Sequence, residues 1–249
     1  MLNQTSFTDE TYWQHESNVF AAKSTTSQIL GGRLYSSASE AVATVGPLNG
    51  AKQWEARYHQ EGSADRQTVE QLIRQKFEAV HGAKIEHYLP HLFSIRALGG
   101  PAAGAVGVRM MEREGGLLER YLDKPIESIL SDLTGEIINR DRMLEVGNFA
   151  ADNMQVAVLL IAFLFEEAKR RNRSHAVFTG TYALRMALKR AKVPYYTIQT
   201  ADAEKLGTDK GRWGNYYNCD PQIMAVDVGV GFEQIQRRFW VAREPSCAS

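Results

Sequence analysis

The sequence predicts a single α/β domain built on a mixed sheet, preceded by an N-terminal extension. Three observations support this fold class. Apolar and polar residues alternate at 54–58, as they do in half-buried strands. Apolar residues recur at helical spacing at 69–80 and again at 154–171. After residue 140, strand patterns and helix patterns alternate along the chain, which is typical of sheets covered by helices.

The predicted elements follow from local signals. The first helix comes after the capping residues Ser63 and Asp65, and Gly82 is suited to end it. Gly99-Gly100-Pro101 predicts a hairpin turn between two strands, and Pro125 suits the first turn of the next helix. In chain order the elements are strand 54–58, helix 69–80, strands 91–98 and 102–111, a short apolar segment at 117–122, helix 125–133, a strand ending at 145, helix 154–171, strand 176–178, helix 181–191, and strands 195–199 and 223–228.

The composition excludes several classes of protein. The 249 residues include 29 basic and 29 acidic side chains, and this balance argues against a nucleic-acid binder. The longest apolar run, 156–165, is about half of the roughly 20 residues that a membrane helix needs, so we expect no integral membrane association. The polar first residues lack the pattern of a secretory signal, and the two cysteines, Cys219 and Cys247, form no disulfide framework. We expect a cytoplasmic protein.

Three regions are predicted along the chain. Residues 1–52 are rich in Ser, Thr, Ala and Gly, and we expect a partly disordered or loosely packed extension. A lid or a partner-binding segment is the alternative. Residues 53–240 form the domain, and residues 241–249 form a tail. The six histidines show no metal-ligand spacing, so no metal site is expected.

Glu145 is the first candidate for chemistry. It is expected at the end of an apolar strand and is followed by Gly147 and Asn148. A carboxylate at the end of a buried strand, beside a glycine, can be desolvated and directed at a ligand. The alternative is that Glu145 is solvated or pairs with Arg140 or Arg142.

Four stretches resemble the thermostable hemolysin family, and the resemblance runs from about residue 69 to 228. They are 118–127 (LERYLDKPIE), 145–150 (EVGNFA), 177–181 (VFTGT) with Leu184-Arg185, and 213–217 (WGNYY). This family is similar to acyl-homoserine-lactone synthases and to GNAT-like acyltransferases. The resemblance therefore implies a GNAT-like acyltransferase fold, in which the central strands splay apart, helices flank the sheet, and the arm of an acyl thioester lies in the gap.

Two departures from those relatives carry information. Lactone synthases have a Glu-x-Ser-Arg stretch, whereas this chain has Gly147 and Asn148 after Glu145, which argues against S-adenosylmethionine use and lactone chemistry. Enzymes that use coenzyme A place a glycine-rich loop before the next helix to hold the pyrophosphate. Here residues 151–156 contain no glycine, and Asp152 would repel phosphate. We therefore expect an acyl-carrier protein rather than CoA to bring the thioester, with no tightly bound cofactor.

Amine acylation needs a base and donors for the developing oxyanion. Glu145 is the expected base. The amides around Gly147–Phe149 are expected to be the donors, with help from the Asn148 side chain, although Asn148 as a turn residue bonded to its own backbone is an equal alternative. Arg109 is expected either to form a salt bridge with Glu119 or to bind a carboxylate of the acceptor through its planar fork. Glu119 is itself a candidate for substrate binding; adjacent residues on a strand point to opposite faces, so only one of Glu119 and Arg120 can face a cleft.

Further substrate contacts are expected from two other regions. Thr179 and Thr181 lie at a strand end, where ligands often bind in α/β sheets, and a helix N-cap is the alternative role. Trp213, Tyr216 and Tyr217 surround Gly214 and form either the wall of a substrate site or part of the core.

These residues favour an acyltransferase that moves an acyl group from a carrier-protein (or CoA) thioester to the amine of a small molecule such as an amino acid. Two alternatives remain: a membrane-active hemolysin, and a non-catalytic binding module on the same scaffold. The sequence does not determine the oligomeric state, and a homodimer is one of the alternatives.

Overall fold

The computed structural model of the chain describes residues 42–45, 53–112 and 115–240. The strands are β1 (Val42–Val45), β2 (Trp54–His59), β3 (His91–Ala97), β4 (Ala102–Met110), β5 (Met143–Ala151), β6 (His175–Gly180), β7 (Tyr196–Thr200) and β8 (Gln222–Asp227). The helices are α1 (Arg66–His81), α2 (Ile126–Thr134), α3 (Met154–Arg170), α4 (Tyr182–Ala191) and α5 (Val228–Trp240). Short 3₁₀ helices cover Leu117–Tyr121, Arg140–Arg142, Ala203–Trp213 and Tyr216–Cys219.

The strands form one sheet in the order β1-β2-β3-β4-β5-β6-β8-β7. Neighbouring strands are antiparallel except at the centre, where β5 and β6 run parallel. Two antiparallel halves therefore meet at one parallel pair, which confirms the predicted mixed sheet. Helix α3 is the crossover between β5 and β6, because parallel neighbours need a long connection.

Local sequence explains the first elements. Val69 and Ile73 are buried on one face of α1, as their spacing predicts. Gly82 ends α1 in the left-handed conformation with φ 63°, and its N–H bonds to the carbonyl of Glu78. Gly99 also has a positive φ, 73°, in the turn that joins β3 to β4. The predicted helix and hairpin are both confirmed.

Helices and short segments cover both faces of the sheet. Leu144 and Val146 of β5 pack in the apolar cluster that contains α3, α4 and α5. Met143 packs in a second cluster, on the face covered by the 3₁₀ helix Leu117–Tyr121. Because successive strand residues point to opposite faces, Glu145 faces the same side as Met143. This alternation determines which face of the sheet carries the acid.

Several sequence predictions are corrected. The strand predicted to end at Glu145 continues to Ala151, so Gly147 and Asn148 belong to the strand rather than to a loop after it. Residues 117–121 form a 3₁₀ helix, and the argument that adjacent strand residues alternate therefore does not apply to Glu119 and Arg120. Helix α5 was not predicted, because Gly229 and Gly231 in its first turn weaken the helical pattern.

The predicted extension lies mostly outside the described residues. Residues 42–45 form β1, which pairs antiparallel with β2. The predicted tail, 241–249, also lies outside the described residues, together with Cys247. Cys219 is a free thiol.

Candidate active site

The two central strands separate after a short paired stretch. Met143–Val146 of β5 pair in parallel with residues 175–178 of β6, and the described pairing between these strands stops there. Beyond this point β6 still pairs with β8 as far as Gly180, while β5 runs on to Ala151 beside β4. The sheet therefore opens as a wedge between β5 and β6, as the resemblance implied.

A β-bulge in β5 accompanies the opening. Gly107 pairs with Gly147, and Ala105 pairs with Ala150, so the single residue Val106 lies opposite both Asn148 and Phe149. Asn148 has a φ of 51°, in the left-handed region. A bulge bends its strand and leaves the extra residue outside the regular ladder, which changes the direction of the local amide groups.

The wedge opens into a cavity of about 280 Å³ that is lined mainly by apolar atoms. The sheet contributes Glu145–Ala151 and Thr179, helix α3 contributes Ala157, and α4 contributes Ala183, Leu184 and Ala187. The opposite wall comes from the end of α1, the segment 83–90 and the 3₁₀ region 203–216. Of the predicted site residues, those that line the cavity are Glu145, Gly147, Asn148, Phe149, Thr179, Thr181, Trp213 and Tyr216. Arg109, Glu119 and Tyr217 are not among the lining residues.

Glu145 is buried in the cavity wall, with 4% of its surface exposed. Its Oε2 accepts a bond from the N–H of Leu117 at 2.9 Å, and its Oε1 accepts one from Leu118 at 2.8 Å. Burial raises the pKa of Glu145, and the two amide bonds act against this rise. The carboxylate therefore holds the start of the 3₁₀ helix Leu117–Tyr121 and still faces the cavity.

The pairing predicted for the charged residues is corrected. Glu145 pairs with neither Arg140 nor Arg142. It pairs instead with Arg109, whose Nη1 lies 4.0 Å from Glu145 Oε2. The alternative pair of Arg109 with Glu119 does not form, because Glu119 binds Arg140 at 2.8 Å.

Glu119 lies at the centre of a separate polar cluster. Its carboxylate accepts bonds from the N–H groups of Gly116 and Ile126 and from the guanidinium of Arg140. The bond from Arg140 lowers the pKa of Glu119. Arg140 also pairs with Glu127 at 2.6 Å. This cluster connects the 3₁₀ helix Leu117–Tyr121 to α2, so its contacts stabilise the fold.

The side chain of Asn148 bonds to a distant segment and not to its own backbone. Its Oδ1 accepts a bond from the N–H of Leu89 at 2.9 Å, and its Nδ2 donates to the carbonyl of His87 at 3.2 Å. Both polar atoms of the carboxamide therefore have backbone partners.

The two threonines lie where β6 leads into α4. Thr179 is part of β6, and its carbonyl accepts a bond of 3.4 Å from the hydroxyl of Tyr216. Thr181 is the N-cap residue of α4, although its side chain makes no capping bond. Thr181 therefore lies both at the cavity, as predicted, and at the start of a helix, as the alternative had it.

The aromatic residues form one cluster at the cavity. Trp213 and Tyr216 have ring centroids 5.1 Å apart, and both contact Phe77 of α1. Tyr217 lies behind them and shares a hydroxyl–hydroxyl bond of 2.6 Å with Tyr121. Burial raises the pKa of Tyr217. The cluster is therefore both core and cavity wall.

Sequence reasoning missed the wall opposite the sheet. No site residue was predicted on α1, yet its last turns contribute Phe77, Val80 and His81 to the cavity. The 3₁₀ region adds further lining residues, which are Leu206, Asp209 and Arg212. Val80 continues the apolar stripe of Val69, Ile73 and Phe77 to the end of α1, yet it is 43% exposed. An apolar stripe that reaches the end of a helix is a sequence signal for a further apolar contact there.

The start of α3 is capped by its own sequence. Asn153 Oδ1 accepts a bond from the N–H of Val156 at 3.0 Å. The carboxylate of Asp152 lies beside this helix start and pairs with Lys76 at 2.9 Å. Polar groups of the chain thus occupy the place where an anion would bind at a helix N-terminus.

No group of three or more His, Cys, Asp or Glu side chains in residues 42–45, 53–112 and 115–240 is placed to hold a metal ion. Among the helices of the same residues, none has the length and apolar character that crossing a membrane requires.

The wedge between parallel central strands defines a GNAT-like fold, and two solved structures share it. The AHL synthase LasI superposes with a TM-score of 0.52 at 10% identity, covering 80% of this chain and 100% of that protein. FeeM, an N-acyl amino acid synthase from uncultured soil microbes, gives a TM-score of 0.51 at 15% identity, with coverages of 77% and 99%. The predicted GNAT-like fold is therefore confirmed.

The chain belongs to the thermostable hemolysin family, whose sequence pattern it matches over residues 59–232. This range contains all four stretches on which the resemblance was based. No protein of curated function matches the sequence.

Proposed function

We propose that the protein is an acyltransferase that moves an acyl group from a thioester to the amine of a small molecule such as an amino acid. The observation that carries this proposal is the wedge between β5 and β6, which opens into an apolar cavity with the buried carboxyl of Glu145 in its wall. An extended thioester arm fits such a gap, and the acid lies beside it.

The reaction follows from this arrangement. The amine of the acceptor attacks the thioester carbonyl, forming a C–N bond, and Glu145 accepts the proton that the nitrogen loses. The C–S bond then breaks, and the proton leaves with the thiol. Because burial raises the pKa of Glu145, its carboxylate is a stronger base than an exposed glutamate.

The bulge in β5 offers backbone amides that could bind the oxyanion. The amides of Gly147 to Phe149 lie along the cavity on a strand edge that β6 has left. A donor directed at the developing charge contributes about 3 kcal/mol to lowering the barrier. We therefore assign oxyanion stabilisation to the backbone at the bulge.

A second, smaller cavity could hold the tail of an aliphatic acyl group. It has a volume of about 40 Å³ and an entirely apolar lining, between the sheet and helices α3, α4 and α5. Val146, Phe149 and Leu184 line both cavities. The acyl tail thus has an apolar path from the wedge to the other face of the sheet, where no polar group would be left unpaired.

The capped start of α3 favours an acyl-carrier protein over CoA as the donor. The side chains of Asp152 and Asn153 occupy the helix start that would bind the pyrophosphate of CoA. A carrier-bound thioester has no pyrophosphate and needs no such site. Thr179, Thr181, Trp213 and Tyr216 are the proposed contacts of the acceptor and the arm.

The test supplies purified protein with acyl-carrier thioesters, with acyl-CoA, and with a mixture of amino acids and simple amines. The expected result is an N-acyl product, identified by mass spectrometry, with one free thiol released for each product. Glu145→Gln should lower kcat/KM by about 10²- to 10⁴-fold, the usual contribution of a general base.

Glu166→Gln is the matched control. Burial also raises the pKa of Glu166, but its carboxylate bonds to Gln236 on α5 and does not line the cavity. This variant should keep wild-type activity. Absence of transfer from every thioester would refute the proposal, and lysis of cells by the protein without any acyl donor would favour the membrane-active alternative.

A further inference from the structure

Asn148 connects the bulge of β5 to the cavity wall opposite the sheet. Its carboxamide binds the N–H of Leu89 and the carbonyl of His87, two groups of the segment 83–90. An N–H requires an acceptor and a carbonyl requires a donor, so these two partners determine the orientation of the amide. An asparagine supplies both roles at once, which neither aspartate nor leucine of similar size can do.

The surroundings of this contact are shaped to fit it. A Cβ atom at Gly107 would lie 2.8 Å from Asn148 Oδ1 and 2.9 Å from Leu89 Cβ. A Cβ atom at Gly147 would lie 3.0 Å from Leu89 Cδ1. The missing side chains on both strands therefore leave room for Leu89, which is buried with 2% of its surface exposed.

The segment 83–90 depends on a few anchors because it contains no helix or strand. At its first end, the N–H of Lys84 bonds to the carbonyl of Arg212 at 2.7 Å. At its last end, the guanidinium of Arg66 donates to the carbonyls of Leu89 and Pro90. Asn148 is the anchor that connects the segment to the central strands.

We propose that Asn148 is a positioning residue, which acts by docking the segment 83–90 onto β5 and so sets the width of the cavity where the thioester lies. The proposal rests on the proposed acyl transfer. Ile85, His87 and Leu89 of the segment line the cavity together with Gly147 and its neighbours. A displaced segment would widen the cavity and weaken binding of the thioester arm.

The left-handed backbone at Asn148 makes a clean test available. Asn148→Gly keeps the φ of 51° without strain and removes both side-chain bonds. Asn148→Asp keeps an oxygen for the N–H of Leu89 but replaces the donor to His87 with a second oxygen. Asn172 has a φ of 54° and bonds to Arg142, away from the cavity, so Asn172→Gly is the matched control.

Three measurements separate positioning from direct catalysis. They are hydrogen exchange at the Leu89 amide, the affinity for a thioether analogue of the acyl donor, and the separate values of kcat and KM. For Asn148→Gly we expect faster exchange at Leu89 and affinity weaker by about tenfold, with a matching rise in KM and little change in kcat. Asn148→Asp should show smaller changes in exchange, affinity and KM than Asn148→Gly, and Asn172→Gly should behave as wild type in all three measurements.

Other results would overturn the proposal. If Asn148 donated directly to the oxyanion, the Gly and Asp variants would lose kcat equally, with unchanged exchange and unchanged analogue affinity. Unchanged analogue affinity in Asn148→Gly would also refute positioning, whatever the exchange at Leu89. A wild-type protein without acyl transfer would refute the proposed function alone, because exchange and analogue affinity still report on the docking of the segment.

Discussion

Arg109 and Glu145 are direct partners in the register between β4 and β5, and the guanidinium Nη1 lies 4.0 Å from the carboxylate Oε2. Arg109 keeps 22% of its side chain exposed, whereas Glu145 keeps only 5%. The positive charge of Arg109 lowers the pKa of Glu145 and so opposes the larger effect of burial, which raises it. Arg109 does not line the cavity. We infer that its role is to lower the pKa of Glu145.

Arg109→Gln tests this relationship. Without the cation, the pKa of Glu145 should rise further, so more of the base is protonated at a given acidic pH. We expect the acid limb of the kcat/KM profile to move to higher pH, with a larger loss of activity at acidic than at alkaline pH. Arg109→Lys keeps the charge and should keep the limb close to its wild-type position. An unmoved limb in Arg109→Gln would show that Glu145 does not limit the acid side.

Glu119→Gln tests the structural assignment of a residue that the sequence suggested for substrate binding. The change removes one of two oxygens that accept bonds from Arg140, Gly116 and Ile126. We expect the free energy of unfolding to fall by about 2 kcal/mol, as for lost bonds to a charged group, while KM stays unchanged. Chemical denaturation and steady-state kinetics measure the two quantities.

The control for Glu119→Gln is Asp123→Asn, which removes an exposed ion pair with Lys205. Exposed pairs contribute little, so its stability should stay near that of the wild type. A raised KM in Glu119→Gln with unaltered stability would instead assign Glu119 to the substrate.

Gly214→Ala tests how the 3₁₀ region docks onto α1. Gly214 has a φ of 53°, and a Cβ atom there would lie 2.0 Å from the carbonyl oxygen of His81. That carbonyl accepts the N–H of Asn215 at 2.8 Å. The alanine should break this contact, displace Trp213 and weaken thioester binding. Trp213 fluorescence and the melting temperature are the measurements.

Gly207→Ala is the matched control for this change. Gly207 has a similar conformation, with φ 60° and ψ −125°, but a Cβ atom there meets nothing within 4 Å. The strained backbone alone should lower the free energy of unfolding of Gly207→Ala by about 1–2 kcal/mol, and Gly214→Ala should lower it clearly more. Equal effects of the two variants would mean that the contact with His81 does not matter.

Ala168→Leu tests the apolar path for the acyl tail. Ala168 is a buried residue of α3 that lines the smaller cavity and not the main one. The larger side chain should fill that cavity and move the preference towards shorter acyl donors. Leu164→Ala enlarges the same cavity and should move the preference the other way. The measurement is kcat/KM over a series of straight-chain donors, and an unchanged preference in both variants would contradict the path.

Most of the fold could be predicted from local patterns. The period of α1, the glycine turn between β3 and β4, and the apolar run that leads into Glu145 each depend on residues close in sequence, so they can be read from the sequence alone. The four stretches that resemble the thermostable hemolysin family implied the GNAT-like fold, which the comparison with solved structures confirmed. The end of β5 was missed because the bulge at Asn148 looks like a turn.

The charge pairs of the site were beyond local patterns. Several arginines are close enough in sequence to Glu145 and Glu119 for many pairings, and only the strand register brings Arg109 to Glu145 and leaves Arg140 for Glu119. The contact of Asn148 with Leu89 spans 59 residues of sequence. Such pairs depend on how elements pack, and hydrophobic periodicity carries no information about them.

The sequence by itself determined most of the order of strands and helices and the place of Glu145 on an apolar strand, because these follow from residue type and spacing along the chain. Its four stretches also carried the resemblance to the family. Only the tertiary structure decided where β5 and β6 part, and which segments form the wall facing them. The physical reason is that a cavity is the space left between elements distant in sequence, and its shape depends on their packing.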